Sequence, residues 1–233
     1  MSCQQIQNLS KFTFLFFLAG IFTLAGCAQE PSPNEFGCKS TRIPCLEGVA
    51  FVSLETERGS VLLQLDGSSA PLTAGNFADL VERGIYNGTL FHRVIRSPLP
   101  FVVQGGDPGT ADPKVPISAY GTGNFIDPET GEARFIPLEF KLAPSGKLTY
   151  GQELTSSSLL MKPALTHDRG SLAMARSSDP NSASSQFYIA LKPLPELDGR
   201  YSVFGRVIRG MEVVDRLRQG DKLIRARVVT RNE

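Results

Sequence analysis

From Val49 onward the chain alternates short apolar runs with polar turns. VAFVSLETE (49–57) and SVLLQLD (60–66) flank Arg58-Gly59 and predict a hairpin with its turn at that dipeptide. Pro71 then opens a stretch in which Phe77, Leu80 and Val81 recur at helical spacing and Gly84 marks the stop, predicting a helix of about three turns. TLFHRVI, LPFVVQGG, RFIPLEF, GSLAMA, SQFYIAL and YSVFGRVI read as further strands, GMEVVDRLRQG as a second short helix, and KLIRARVV as a closing strand. Many short strands with two separated helices predict a mainly β fold, a single closed barrel. Two Pro/Gly/Ser-rich stretches, 108–134 and 141–168, interrupt this pattern as insertions.

The first residues follow a different rule. Residues 12–26 are uncharged and largely apolar, and Lys11 precedes them. This is the layout of a secretory signal, shorter than the roughly 20 residues of a spanning helix. The segment ends in Leu24-Ala25-Gly26-Cys27, which resembles the lipobox of bacterial lipoproteins. That resemblance implies cleavage before Cys27 and lipidation of it. We therefore expect a signal peptide over 1–26, a lipidated flexible tether over 27–48, and a domain over 49–233. The expected location is the exported face of a bacterial envelope, with the membrane reached through the lipid. The tether carries Cys38 and Cys45, seven residues apart, which form either a small disulfide loop or two free thiols.

Composition narrows the function classes. With 24 Lys+Arg against 23 Asp+Glu the formal charge is +1, falling to zero once 1–26 and its single lysine are removed. No electrostatic footprint for nucleic acid is present, and attraction to anionic head groups does not bring such a chain to a membrane. A 41% apolar and 20% charged content is that of a folded chain. Only His92 and His167 offer imidazoles, leaving little for a metal site. No metal and no cofactor is expected.

Within the strands, alternation places Phe91, Arg93 and Ile95 on one face, with His92 and Val94 opposite. In SQFYIAL, Gln186 and Tyr188 share a face, while Phe187, Ile189 and Leu191 form a core-like opposite face. Four strings stand in series: NGTLFHRVI (87–95), FVVQGGDP (101–108), GSLAMARSSDPNSASSQFYIAL (170–191) and LDGRYSVFGRVIRGMEVVD (197–215). In order, spacing and content they resemble cyclophilins, the peptidyl-prolyl cis-trans isomerases, over about residues 49–230. The resemblance implies a closed eight-stranded antiparallel barrel capped by two α-helices.

It also implies roles. Arg93 is the donor that faces the proline nitrogen. Phe101, Val102 and Leu197 line the proline pocket, Tyr188 is its floor and Tyr201 its aromatic wall. Gln104 and Gln186 hold the substrate backbone and orient Arg93. Ala175 and Arg176 form the edge that pairs with the peptide, and Gly121 lies at the neighbouring pocket. Four positions depart from many well-known members: Glu196 replaces a Trp, Tyr201 a His, Val102 a Met, and Arg176-Ser177 an Asn-Ala pair. The expected activity is isomerisation of X-Pro bonds in exported polypeptides by a monomer. The rival expectation is a proline-peptide chaperone or assembly factor with weak turnover, because long insertions commonly carry partner recognition.

Overall fold

The computed structural model describes residues 37–38, 42–154 and 161–231. The expected signal peptide and Cys27 lie outside the described residues. An eight-stranded antiparallel sheet runs in the order β11-β1-β2-β10-β8-β9-β4-β3. Its strands are β1 (Val49–Thr56), β2 (Gly59–Asp66), β3 (Arg93–Val94), β4 (Val102–Gly105), β8 (Ser171–Met174), β9 (Phe187–Ala190), β10 (Val203–Arg209) and β11 (Leu223–Val229). Helices α1 (Pro71–Glu82) and α2 (Met211–Arg216) cap it. The hairpin turn is Glu57-Arg58, one residue earlier than expected, and Gly59 already pairs with Thr56.

The expected closed barrel is not what forms. The sheet is open and curled, a half-barrel whose edges lie 13 Å apart. β11 pairs along β1 from Phe51↔Val229 to Thr56↔Leu223. At the other edge β3 supplies two residues, both paired with β4 and neither with β11. Contact across the opening includes the single bridge Leu90↔Lys222 and the Phe91 N–H bond to the Asp221 carbonyl, 2.9 Å. Phe91 also accepts from the Gly220 N–H, so the pleat begins only at Arg93. In consequence Phe91 and Val94 pack in the main core, and Phe91 does not share a face with the exposed Arg93.

The core lies between the inner sheet face and α1. Val52, Leu54, Val61, Leu63 and Leu65 alternate inward from the hairpin against Phe77, Leu80 and Val81. Phe77 centres an aromatic group, 5.0 Å from Tyr86, 5.3 Å from Phe187 and 5.1 Å from Phe204 by ring centroids. Residues 42–48, expected as the end of a tether, belong to the globule. Ile43 and Leu46 pack on the core, and the Leu46 N–H donates to the Pro71 carbonyl at 3.0 Å. A Cβ at Gly75 would stand 2.0 Å from the Pro44 carbonyl oxygen, so only glycine admits this segment. Cys38 and Cys45 are joined by a disulfide.

The described residues of both insertions are folded. Residues 108–134 hold two short 3-10 turns, Pro108–Ala111 and Ile117–Ala119. The second stretch builds a small sheet in the order β6-β5-β7 from β5 (Glu139–Ala143), β6 (Leu148–Tyr150) and β7 (Lys162–Pro163). Glu139 ties this sheet to α1. Fully buried, it accepts from the Leu72 N–H (3.1 Å) and the Thr73 N–H (2.7 Å), in a helix whose N-cap, Ala70, has no side chain able to do so. Replacing Glu139 by Ala orphans two buried donors. Unfolding free energy should fall by about 2–3 kcal/mol, read as a lower urea midpoint at unchanged m. An unmoved midpoint would show that the helix start does not depend on this carboxylate.

Candidate active site

The site grows from three neighbouring strands. Arg93 on β3 stands opposite Gln104 on β4, and Gln104 stands opposite Tyr188 on β9. Arg93 Nη1 donates to Gln104 Oε1 at 3.1 Å, and Gln104 Nε2 donates to Gln186 Oε1 at 3.1 Å. Gln186 Nε2 then donates to the carbonyls of Gly121 (3.0 Å) and Gly123 (2.9 Å). Beneath that loop the buried Asp107 carboxylate accepts from the N–H groups of Gly109, Gly121 and Gly123, at 2.8, 2.6 and 3.2 Å. Gly121 has φ +90°, and a Cβ there would press on the His92 ring at 3.4 Å. One continuous polar chain therefore runs from a buried carboxylate to an exposed guanidinium.

Beside it lies a second, smaller apolar cluster. Val102, Tyr188 and Ala190 are buried in it with Ala173, and Phe101, Ala175, Leu197 and Tyr201 pack around them partly exposed. β9 makes this possible: Phe187 and Ile189 enter the main core while Tyr188 and Ala190 enter the pocket cluster. Arg93 Cζ lies 6.0 Å from the Phe101 ring centroid, at the rim. The Ala175 N–H donates to the Gln186 carbonyl at 2.9 Å. A cavity of about 430 Å3 adjoins, bounded by Gln104, Gly121, Ala175, Arg176 and Gln186. All of the residues expected at a proline pocket, its polar arm and its neighbouring pocket thus share one patch. Arg176 is the one whose side chain takes an unexpected direction: it is 5% exposed and turned behind Tyr201. Glu196 is exposed on the Pro195–Leu197 turn.

Sequence reasoning assigned no role to Asp107, Asp198 or Glu153. Asp107 carried a signal in QGGD, whereas the other two act through partners distant in the chain. Asp198 Oδ1 faces His167 Nδ1 at 2.8 Å, and His167 Nε2 faces the Tyr188 hydroxyl at 2.9 Å. A carboxylate accepts only, so Nδ1 carries the proton and Tyr188 donates to Nε2. Tyr188 is thereby keyed to a buried imidazole. Burial lowers the pKa of His167 despite Asp198, and lowers that of His92, whose two ring nitrogens are buried without partners. Both folded values lie below the free value of 6.5, so the unfolded chain takes up these protons first as pH falls. Their stabilisation is complete above 6.5 and is lost below it, toward the folded values. NMR titration should place both midpoints below 6.5, with thermal stability declining on acidification through that window. A His167 midpoint above 6.5 would contradict the neutral ring.

Fold and patch define a class: a curled sheet presenting a partly exposed apolar, aromatic cluster with a hydrogen-bonded guanidinium at its rim. Residues 51–231 match the family described as cyclophilin type peptidyl-prolyl cis-trans isomerase/CLD. A Synechocystis protein named as a thylakoid lumen peptidyl-prolyl cis-trans isomerase is 39% identical over 208 residues, 85% of this chain and 50% of that protein. Peptidyl-prolyl cis-trans isomerase-like 1 of Neurospora crassa is 34% identical over 166 residues, 71% of this chain and 79% of that one. A Cryptosporidium parvum cyclophilin type peptidyl-prolyl cis-trans isomerase, solved in the presence of the dipeptide Ala-Pro, superposes with a TM-score of 0.56 at 26% identity, covering 77% of this chain and 99% of its own. The chain belongs to the cyclophilin-type peptidyl-prolyl cis-trans isomerase family. It spans about half the length of its Synechocystis relative.

Proposed function

We propose that this chain isomerises X-Pro bonds in exported polypeptides, as a monomer held at a membrane through lipid on Cys27. The observation that carries the catalytic reading is Arg93, fixed through Gln104 and Gln186 at the rim of the cluster of Phe101, Val102, Tyr188, Leu197 and Tyr201. Rotation about a prolyl bond crosses a barrier of about 18–20 kcal/mol because amide resonance is lost. No covalent step is required. The enzyme must bind the twisted amide more tightly than the planar one.

The pocket cluster takes the proline ring and the edge at Ala175 holds the peptide backbone. As the bond twists, the proline nitrogen gains lone-pair character, and the Arg93 N–H groups stabilise it where charge develops. Gln104 keeps the guanidinium from swinging toward solvent, so its position is set before substrate arrives. The relative solved with Ala-Pro supports the ligand class.

The location rests on other observations. Leu24-Ala25-Gly26-Cys27 closes an apolar, uncharged run, the Synechocystis relative is named for a lumenal compartment, and the Cys38–Cys45 disulfide fits an oxidising one.

An isomerisation assay on the full chain tests the activity. Arg93→Ala should lower kcat/KM by about 10²–10³-fold with the fold retained. Wild-type and variant rates that coincide near background would leave a proline-peptide binder without turnover. For the anchor, mass spectrometry of the mature N-terminus should find lipidated Cys27; an unmodified residue there, or an intact leader, would remove the anchor from this reading.

A further inference from the structure

Arg176 and its partners lie outside the catalytic arm, and they meet the pocket from behind. The Arg176 side chain is 5% exposed. Its Nε and Nη2 donate to the Arg200 carbonyl at 2.9 and 2.7 Å, and Nη1 donates to the Ser177 and Ser178 carbonyls at 2.9 and 3.3 Å. Nη2 also bonds to the carboxylate of Glu153. The guanidinium covers the Tyr201 ring, 4.7 Å from its centroid, and Tyr201 meets Tyr188 edge-on at 5.9 Å. The outer wall and floor of the pocket therefore rest on a buried cation.

Glu153 is the counter-charge of that cation, and it comes from the second insertion, just beyond β6. Its other oxygen lies 3.5 Å from Arg200 Nε, and the next residue, Leu154, donates its N–H to the Gly199 carbonyl at 3.0 Å. The insertion is thereby seated on the turn that carries Leu197 and Tyr201. We propose that Glu153 is a positioning residue for substrate affinity: its carboxylate keeps Arg176 against Tyr201 and so sets the width of the proline pocket. Without it, a buried guanidinium keeps neutral acceptors only, and its long side chain is drawn to solvent. Tyr201 then loses the surface it stacks on. Arg93 is held through Gln104, which shares none of these bonds, so the step at the prolyl bond is spared. The inference rests on the isomerase reading above for its kinetic form.

The test compares wild type, Glu153→Gln and Glu153→Asp as full chains, well below their melting temperatures, with one X-Pro peptide. Glu153→Gln should raise KM by about fivefold or more while kcat stays within about twofold, and the Tyr201 ring resonances should shift. Glu153→Asp, which keeps the charge, should recover most of the affinity. A Glu153→Gln protein that melts earlier but keeps its KM would assign Glu153 to stability alone and overturn the proposal, as would a fall in kcat at constant KM. Should Glu153→Gln fail to fold, Arg176→Lys carries the test. One ammonium cannot span the Arg200 carbonyl, Glu153 and the Tyr201 face, so KM should rise there too, and an unchanged KM overturns the proposal. If wild type shows no turnover, the isomerase reading fails by itself. Peptide dissociation constants from NMR on the same proteins then decide the Glu153 role: weaker binding in Glu153→Gln sustains it and equal binding overturns it.

Discussion

β9 is buried on both faces, and the rest of the structure depends on the register this enforces. Phe187 and Ile189 must enter the main core, where Phe187 meets Phe77 and Tyr86 edge-on. Tyr188 and Ala190 are left to the second apolar cluster. A slip of one residue would exchange the two sets, driving a tyrosine hydroxyl into the main core and phenylalanine into the groove. Because each face is independently packed, the position of the pocket is set by the same interactions that hold the sheet to α1. β4 pairs along β9 from Val102↔Ala190 to Gly105↔Phe187, and so inherits that register. β3 pairs with β4 and carries Arg93 to the rim.

On this frame the polar groups are held from two sides. Asp107, buried and bonded to three N–H groups, shapes the 121–123 loop whose carbonyls orient Gln186. From Gln186 the order passes through Gln104 to Arg93 without a break. Such a chain is worth having only when each member is satisfied, since a half-satisfied network in a low-dielectric setting is worse than apolar packing. On the other side Asp198 and His167 hold the Tyr188 hydroxyl, and the Arg176 guanidinium lies on the Tyr201 ring. The insertions supply part of each arrangement: 108–134 provides the Gly121 loop, and the small second sheet leads into Glu153.

Much of the fold was legible along the chain because its signals are local. The apolar spacing of Phe77, Leu80 and Val81 with Pro71 at the start reports α1 directly, and the alternation in SQFYIAL reports which side of β9 is core. Alternation in SQFYIAL also set Gln186 and Tyr188 on the face away from the core, but Phe101 and Leu197 were legible only through resemblance, since taken singly they look like any other partly buried apolar residue. Two of the residues that were missed, Glu139 and Glu153, share a property: their partners are remote. Glu139 caps a helix 66 residues earlier in the chain, and Glu153 pairs with an arginine 23 residues later. No periodicity announces either.

By itself the sequence determined the order of the eight main-sheet strands and the two helices, the two faces of β9 and the family, because these follow from spacing along one chain; the small second sheet it did not show. The tertiary structure decided three other matters. It left the sheet open, since both residues of β3 pair with β4 and neither with β11. It made the insertions structural, through the Gly121 and Gly123 carbonyls that hold Gln186 and through Glu153, which pairs with Arg176. It turned the Arg176 guanidinium from the expected peptide edge onto the Tyr201 ring, because a guanidinium finds its acceptors in space and not in sequence.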